Sequence, residues 1–293
     1  MSNDHIGLHR PRRERGVAMA STPVVRPEGR RASAAKSVLK HLIPTEFQPP
    51  TDAPRRLLAA TGYFRLRTWI AAHGDAVPDA NLYRPLYSPW TGEPAFERVF
   101  DRIRSRTLVS RDRCYLLWRT LQQATKLDGD VLECGVFRGG TALLAAETVT
   151  ATEADKAVHL FDTFEGMPQT TEGIDRFEQG GFGGTSADDV RALMEPYRTV
   201  MVHAGYIPDT FEGLDIPRIS WAHVDVDIYQ SVRDCIDFIY PRLVRGGYMI
   251  FDDYGFPSCV SARRAVDEAF ADKPEVPLSL PTGQCLVVKL GAG

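Results

Sequence analysis

Two acidic clusters stand one helix-length apart in this chain: His223-Val224-Asp225-Val226-Asp227 and Phe251-Asp252-Asp253-Tyr254. Each follows a short apolar run, so the carboxylates are expected to emerge together at one edge of a sheet. Four negative charges in such close quarters repel strongly, and a cation is the simplest partner. A hard divalent metal suits oxygen donors, because Mg²⁺ takes one to three carboxylates and completes its octahedron with water or substrate oxygens. Plainer readings exist for each residue. Asp252 and Asp253 could form an Asx turn that caps the next helix, and Asp225 and Asp227 could face solvent at a strand end. His223 and His203 fit core-lining or hydrogen-bonding histidines better than ligands.

A second constellation lies upstream. Glu133-Cys134-Gly135-Val136-Phe137-Arg138-Gly139-Gly140 runs directly into the helical pattern TALLAAETV. Glycines at a strand-to-helix turn let a ligand approach the backbone, as an adenosyl cofactor requires, although plain turn chemistry also uses them. The spacing is not the G-x-G-x-x-G of nicotinamide sites. The next strand ends in Asp162, where a carboxylate can accept both ribose hydroxyls of an adenosine. Its distance from Gly135, 162 − 135 = 27 residues, exceeds the roughly 20 of dinucleotide enzymes. Arg138 could anchor a cofactor carboxylate or make a surface salt bridge.

From Gly129 onward strands and helices alternate, which predicts a parallel sheet covered on both faces. The expected strands are 130–134, 157–163, 199–205, 219–226 and 247–253. LSLP and QCLVVKL near the C-terminus have no helix between them, as in an antiparallel hairpin closing one edge. The fold class is therefore α/β and doubly wound, with ligands beyond the carboxyl ends of the strands. Ahead of it, helical patterns at 53–73, 95–106 and 111–127 form an N-terminal helical layer. Tyr83, Tyr87 and Trp90 between them could line a substrate pocket or pin a loop to the core.

Composition agrees with a soluble globular chain: 293 residues, 43% hydrophobic, formal net charge −3. No run reaches the roughly 18 apolar residues of a membrane span, and the N-terminus lacks a secretory apolar region, so a cytoplasmic address is expected. Five scattered cysteines without a C-x-x-C pair read as reduced core residues. Residues 1–35 are arginine-rich and weakly patterned, the signature of a disordered basic tail, and without aromatic interleaving they do not point to nucleic acid. The segment Glu172–Asp189, EGIDRFEQGGFGGTSADD, is too long for an ordinary connection. It reads as a mobile lid hinged at Gly180, Gly181, Gly183 and Gly184, with Ser186 starting the next helix.

ECGVFRGG, LFDTFEGMP, GYIPDTF, HVDVDIYQS, LVRGGYMIFDDYG and the upstream RTLVSRDRCYLLW, in this order, resemble the macrocin O-methyltransferase family over roughly residues 80–290. The resemblance implies an S-adenosylmethionine- and Mg²⁺-dependent enzyme that methylates sugar or related hydroxyls in natural-product biosynthesis. It implies a Rossmann-like class I methyltransferase sheet, seven-stranded with an antiparallel last strand, and a homodimer or larger assembly. Carried over residue by residue, it puts the cofactor's methionyl end near Glu133 and Gly135 and its ribose on Asp162. The metal falls on Asp225, Asp252 and Asp253, and the general base on Asp227. Domain organisation follows as a tail at 1–35, helices with substrate and oligomer loops at 36–128, and the cofactor-binding domain at 129–293. Two other classes compete: a nicotinamide oxidoreductase, which leaves the aspartates without a task, and a non-catalytic adenosylmethionine-binding module, which would not need them.

Overall fold

A computed structural model describes residues 88–291. The basic tail, the helix expected at 53–73, and Tyr83 and Tyr87 lie outside the described residues. Two helices open the described part, α1 (Pro94–Ile103) and α2 (Arg111–Ala124), and the alternation then begins. Its elements are β1 (Asp130–Cys134), α3 (Gly140–Ala151), β2 (Val158–Asp162), α4 (Ala187–Met194), β3 (Val200–Ala204) and β4 (Ile219–Val224). They continue with α5 (Tyr229–Ile239), β5 (Leu243–Phe251), α6 (Val260–Phe270), β6 (Leu278–Ser279) and β7 (Cys285–Val288).

The strands form one seven-stranded sheet in the order β3-β2-β1-β4-β5-β7-β6. Neighbours are parallel except β7, which runs antiparallel to both β5 and β6. This is the α/β class I methyltransferase arrangement, with the C-terminal hairpin closing one edge as its pattern predicts. Every residue of β4 is buried, the mark of a central strand covered on both sides.

Side chains alternate between two cores. Val131, Trp221 and Ile250 face a layer of α1, α2, α3 and α4, while Leu132, Ala222 and Met249 face α5 and α6. The first two helices thus belong to the same layer as α3 and α4. Helix α3 is buried on nearly all sides because α1, α2 and α4 enclose it against the sheet, which explains its run of alanine and leucine. Trp90 packs edge-on to Tyr115, 6.3 Å between ring centres, and so pins its turn to this core instead of lining a pocket. All five cysteines are buried and free.

Register sets the functional edge. Phe161, Cys134, Val224 and Phe251 lie abreast on β2, β1, β4 and β5. One residue further along each strand come Asp162, Gly135, Asp225 and Asp252. Strands β4 and β5 end two residues short of the expected limits, so all four acids of the two clusters stand beyond the ladder.

Candidate active site

A cavity of about 340 Å³ opens at this edge. Gly135, Val136, Phe137 and Asp162 line one side, Asp225, Asp227, Asp252 and Asp253 another, and Phe177 and Phe182 from the long loop cover it. The strand ends singled out in the sequence thus line one cavity. The details differ at several positions.

The acids divide into two groups. Ligand atoms of His223, Asp225 and Asp252 lie within 4.8 Å of one another, and so do those of Asp227, Asp253 and Cys259. Asp227 leaves the strand face because its backbone is left-handed, φ 60°, and its amide donates to Asp253 Oδ2 at 2.9 Å. Asp252 Oδ1 accepts from Gln284 Nε2 at 2.8 Å, and Oδ2 is held by Arg113 of α2. Beneath it, His223 Nδ1 meets Glu133 Oε1 at 2.9 Å, both residues wholly buried. His223 Nε2 stands 3.5 Å from Asp252 Oδ1, within ion-pair range but without hydrogen-bond geometry.

Electrostatics follow from this crowding. Burial, reinforced by neighbouring aspartates, pushes the carboxyls of Asp225 and Asp253 well above the usual range, and burial raises Asp227 despite its hydrogen bonds. Asp252 is the exception. Burial works against its charge too, but the His223 imidazole 3.5 Å away, the Arg113 guanidinium and the Gln284 amide together hold it below the ordinary value. His223 is driven well upward: burial disfavours its charge, and the carboxylates of Asp252 and Glu133 outweigh that penalty.

The residues expected on the cofactor side make contacts within the protein. Gly135 has φ +88°, and a Cβ there would lie 1.8 Å from the Asp225 carbonyl oxygen. The glycine makes room for the chain's own β4 turn before it makes room for any ligand. Asp162 Oδ2 accepts the amides of Val136 (2.6 Å) and Phe137 (2.8 Å), and Oδ1 accepts that of Phe164 (2.7 Å), so this carboxylate shapes the glycine turn. Glu133 lies under the site, with Oε2 buried and unpaired. Arg138 is exposed, stacks over Phe137 at 5.1 Å, and is not among the cavity-lining residues.

Arg113, Gln284 and Cys259 escaped sequence reasoning. Arg113 shares a helix face with Leu117 and Leu121, and a charge on such an apolar stripe is a signal that it has a buried partner. Gln284 and Cys259 carried no comparable signal.

The family model described as Macrocin-O-methyltransferase (TylF) matches residues 103–278. An 8-demethyl-8-(2,3-dimethoxy-alpha-L-rhamnosyl)-tetracenomycin-C 4'-O-methyltransferase of Streptomyces olivaceus is 31% identical over 47% of this chain and 58% of its own length. A mycinamicin III 3''-O-methyltransferase of Micromonospora griseorubida is 28% identical over 56% of this chain and 70% of its own. The chain thus spans little more than half of the first relative. The solved structure of the O-methyltransferase NovP superposes with a TM-score of 0.58 at 25% identity, covering 64% of this chain and 83% of that one.

Proposed function

The chain belongs to the macrocin O-methyltransferase family, and from that membership we propose that it methylates a hydroxyl of a sugar or glycosylated natural product, using S-adenosylmethionine and Mg²⁺. The observation that carries this reading is the convergence of four aspartates with the Gly135 turn on one cavity. Sugar-bearing acceptors are suggested by the names of the relatives from Streptomyces olivaceus and Micromonospora griseorubida.

The residues fit a divalent ion. The donors are oxygen-rich and buried, His223 Nε2 is an unpaired polar atom beside them, and the four carboxylates outnumber the cationic side chains of Arg113 and His223 that face them. Asp225 and Asp252 of the first group, with Asp253 reaching across from the second, would hold the ion, and Asp227 is left to act on the acceptor. Bound there, magnesium would supply Lewis-acid polarisation of the acceptor hydroxyl, and the cofactor a sulfonium methyl.

The protein's own contribution is placement and proton handling. Asp227, raised by burial yet linked to Asp253, is suited to take the acceptor proton as the oxygen attacks the methyl carbon. Asp162 keeps the Val136–Phe137 turn in shape for the methionyl end and retains acceptor capacity for ribose hydroxyls. Phe177 and Phe182, with ring centres 5.5 Å apart, add an aromatic wall to the cavity. Three non-glycine residues lining it, Phe137, Phe182 and Asp227, have left-handed backbones, a form of strain that concentrates at working sites. The homodimeric or larger assembly, the cytoplasmic address and the three-part domain division rest on the family resemblance and the sequence pattern.

Methyl transfer from labelled S-adenosylmethionine to a panel of deoxysugar glycosides, with Mg²⁺ and then with EDTA, tests the reading. Turnover that requires Mg²⁺ is expected. Full activity in EDTA would sink the assignment of the aspartates.

A further inference from the structure

The long loop after β2 reaches past the cavity it covers. Its ends are joined by Met167 N–H to Gly181 O (2.6 Å) and Gly180 N–H to Met167 O (2.9 Å). Within it, Asp175 Oδ2 accepts the Thr171 amide at 2.8 Å, and Oδ1 accepts the amide of Tyr229 at 3.0 Å. Tyr229 is the first residue of α5, and Ile228 before it has no side chain able to cap a helix. The cap comes instead from a loop 54 residues upstream.

Asp227 stands two residues before that capped amide. Its left-handed backbone is unfavourable for a residue with a Cβ and persists only where the surroundings hold it. One restraint is Asp253, which accepts the Asp227 amide. The other is Asp175, which fixes the far end of the same turn. Next to it, Arg176 Nη1 donates to Pro257 O at 2.8 Å, on the segment between Asp253 and Cys259. Phe177 then lines the cavity. Three consecutive loop residues therefore touch the turn bearing Asp227, the segment following Asp253, and the space between them.

We propose that Asp175 is a positioning residue: by capping α5 from the loop it sets the 225–229 turn, so that seating the loop and placing Asp227 are one event. The inference rests on the reading of Asp227 as the base for methyl transfer. Loop closure then selects for bound ligands by completing the base geometry only when the cavity is covered.

The test compares Asp175→Ala and Asp175→Asn in the full chain. In the alanine variant, hydrogen exchange at the Tyr229 amide and across 225–229 should accelerate. Its kcat should fall roughly 10- to 100-fold, as expected for a misplaced catalytic group. Asparagine keeps one oxygen acceptor, enough for the Tyr229 amide or the Thr171 amide but not both, and should recover part of the loss at most. In the unaltered protein, S-adenosylhomocysteine should raise protection of 172–185 and of the Tyr229 amide together. Unchanged exchange in the alanine variant or independent protection of the two segments would each overturn the proposal. The exchange readout does not depend on turnover, so an inactive wild-type protein would defeat the methyltransferase reading while leaving the coupling itself measurable.

Discussion

Asp252 and Asp253 are neighbours in sequence with opposite electrostatic fates, one held ionised by His223, Arg113 and Gln284, the other pushed toward the neutral form by burial and like charges. Such separation within one cluster is how a site assigns different tasks to identical side chains. Replacing either by alanine should abolish metal-stimulated turnover while calorimetric affinity for S-adenosylhomocysteine stays near wild type, because the glycine turn is on another strand. Asp227→Asn should lower turnover by roughly 10²- to 10⁴-fold with little change in Mn²⁺ binding followed by electron paramagnetic resonance. A loss of metal binding in that variant would show Asp227 to be a ligand. Gly135→Ala has a different basis. Its methyl group would overlap the Asp225 carbonyl in a left-handed backbone, so chemical denaturation should show a loss of about 2 kcal/mol or more.

Among the elements, β3 illustrates how an edge strand carries its own pH dependence. His203 stacks on Phe161 with ring centres 4.6 Å apart, and its Nε2 meets His159 Nδ1 at 3.1 Å. Burial first, and the neighbouring His159 second, lower the pKa of His203 below its ordinary 6.5. A depressed folded-state pKa means that the unfolded chain binds the proton more readily. The stabilising contribution is therefore present above about pH 6.5 and is lost as pH falls. His203→Phe, which preserves the stack, should flatten the acid limb of Tm against pH between about 5 and 7. An unaltered acid limb in calorimetry would assign the pH dependence elsewhere. The long loop shows the same dependence on neighbours: its glycine-rich composition announced length and mobility, yet its anchoring through Asp175 and Arg176 is a property of α5 and the β5 turn.

Across the whole molecule, strand order places the glycine turn of β1 beside the acidic ends of β4 and β5, at the point where the connections reverse direction. The glycine turn and the aspartates are thus adjacent but on separate strands. S-adenosylhomocysteine should raise Tm whereas NAD at the same concentration should not; stabilisation by NAD would revive the oxidoreductase reading. Among the described residues no helix is long and apolar enough to cross a membrane.

The short apolar runs and the helical stretches between them made the sheet, its C-terminal hairpin and its acidic edge legible in the chain alone. β1 falls at 130–134 as read, and Ser186 caps α4 by accepting the Asp189 amide. Those features are local: patterning, propensity and capping act over a few residues. What only the tertiary structure decided is which partners meet across 25 to 140 residues of sequence. Asp162 turned to the backbone of its neighbouring strand, Gly135 gave way to a carbonyl of β4, Arg138 stayed at the surface, and Arg113 came in from α2 to bind Asp252. Side-chain charge and hydrogen-bonding capacity can be read from a sequence, but the partner that satisfies them is set by packing, which no local signal encodes.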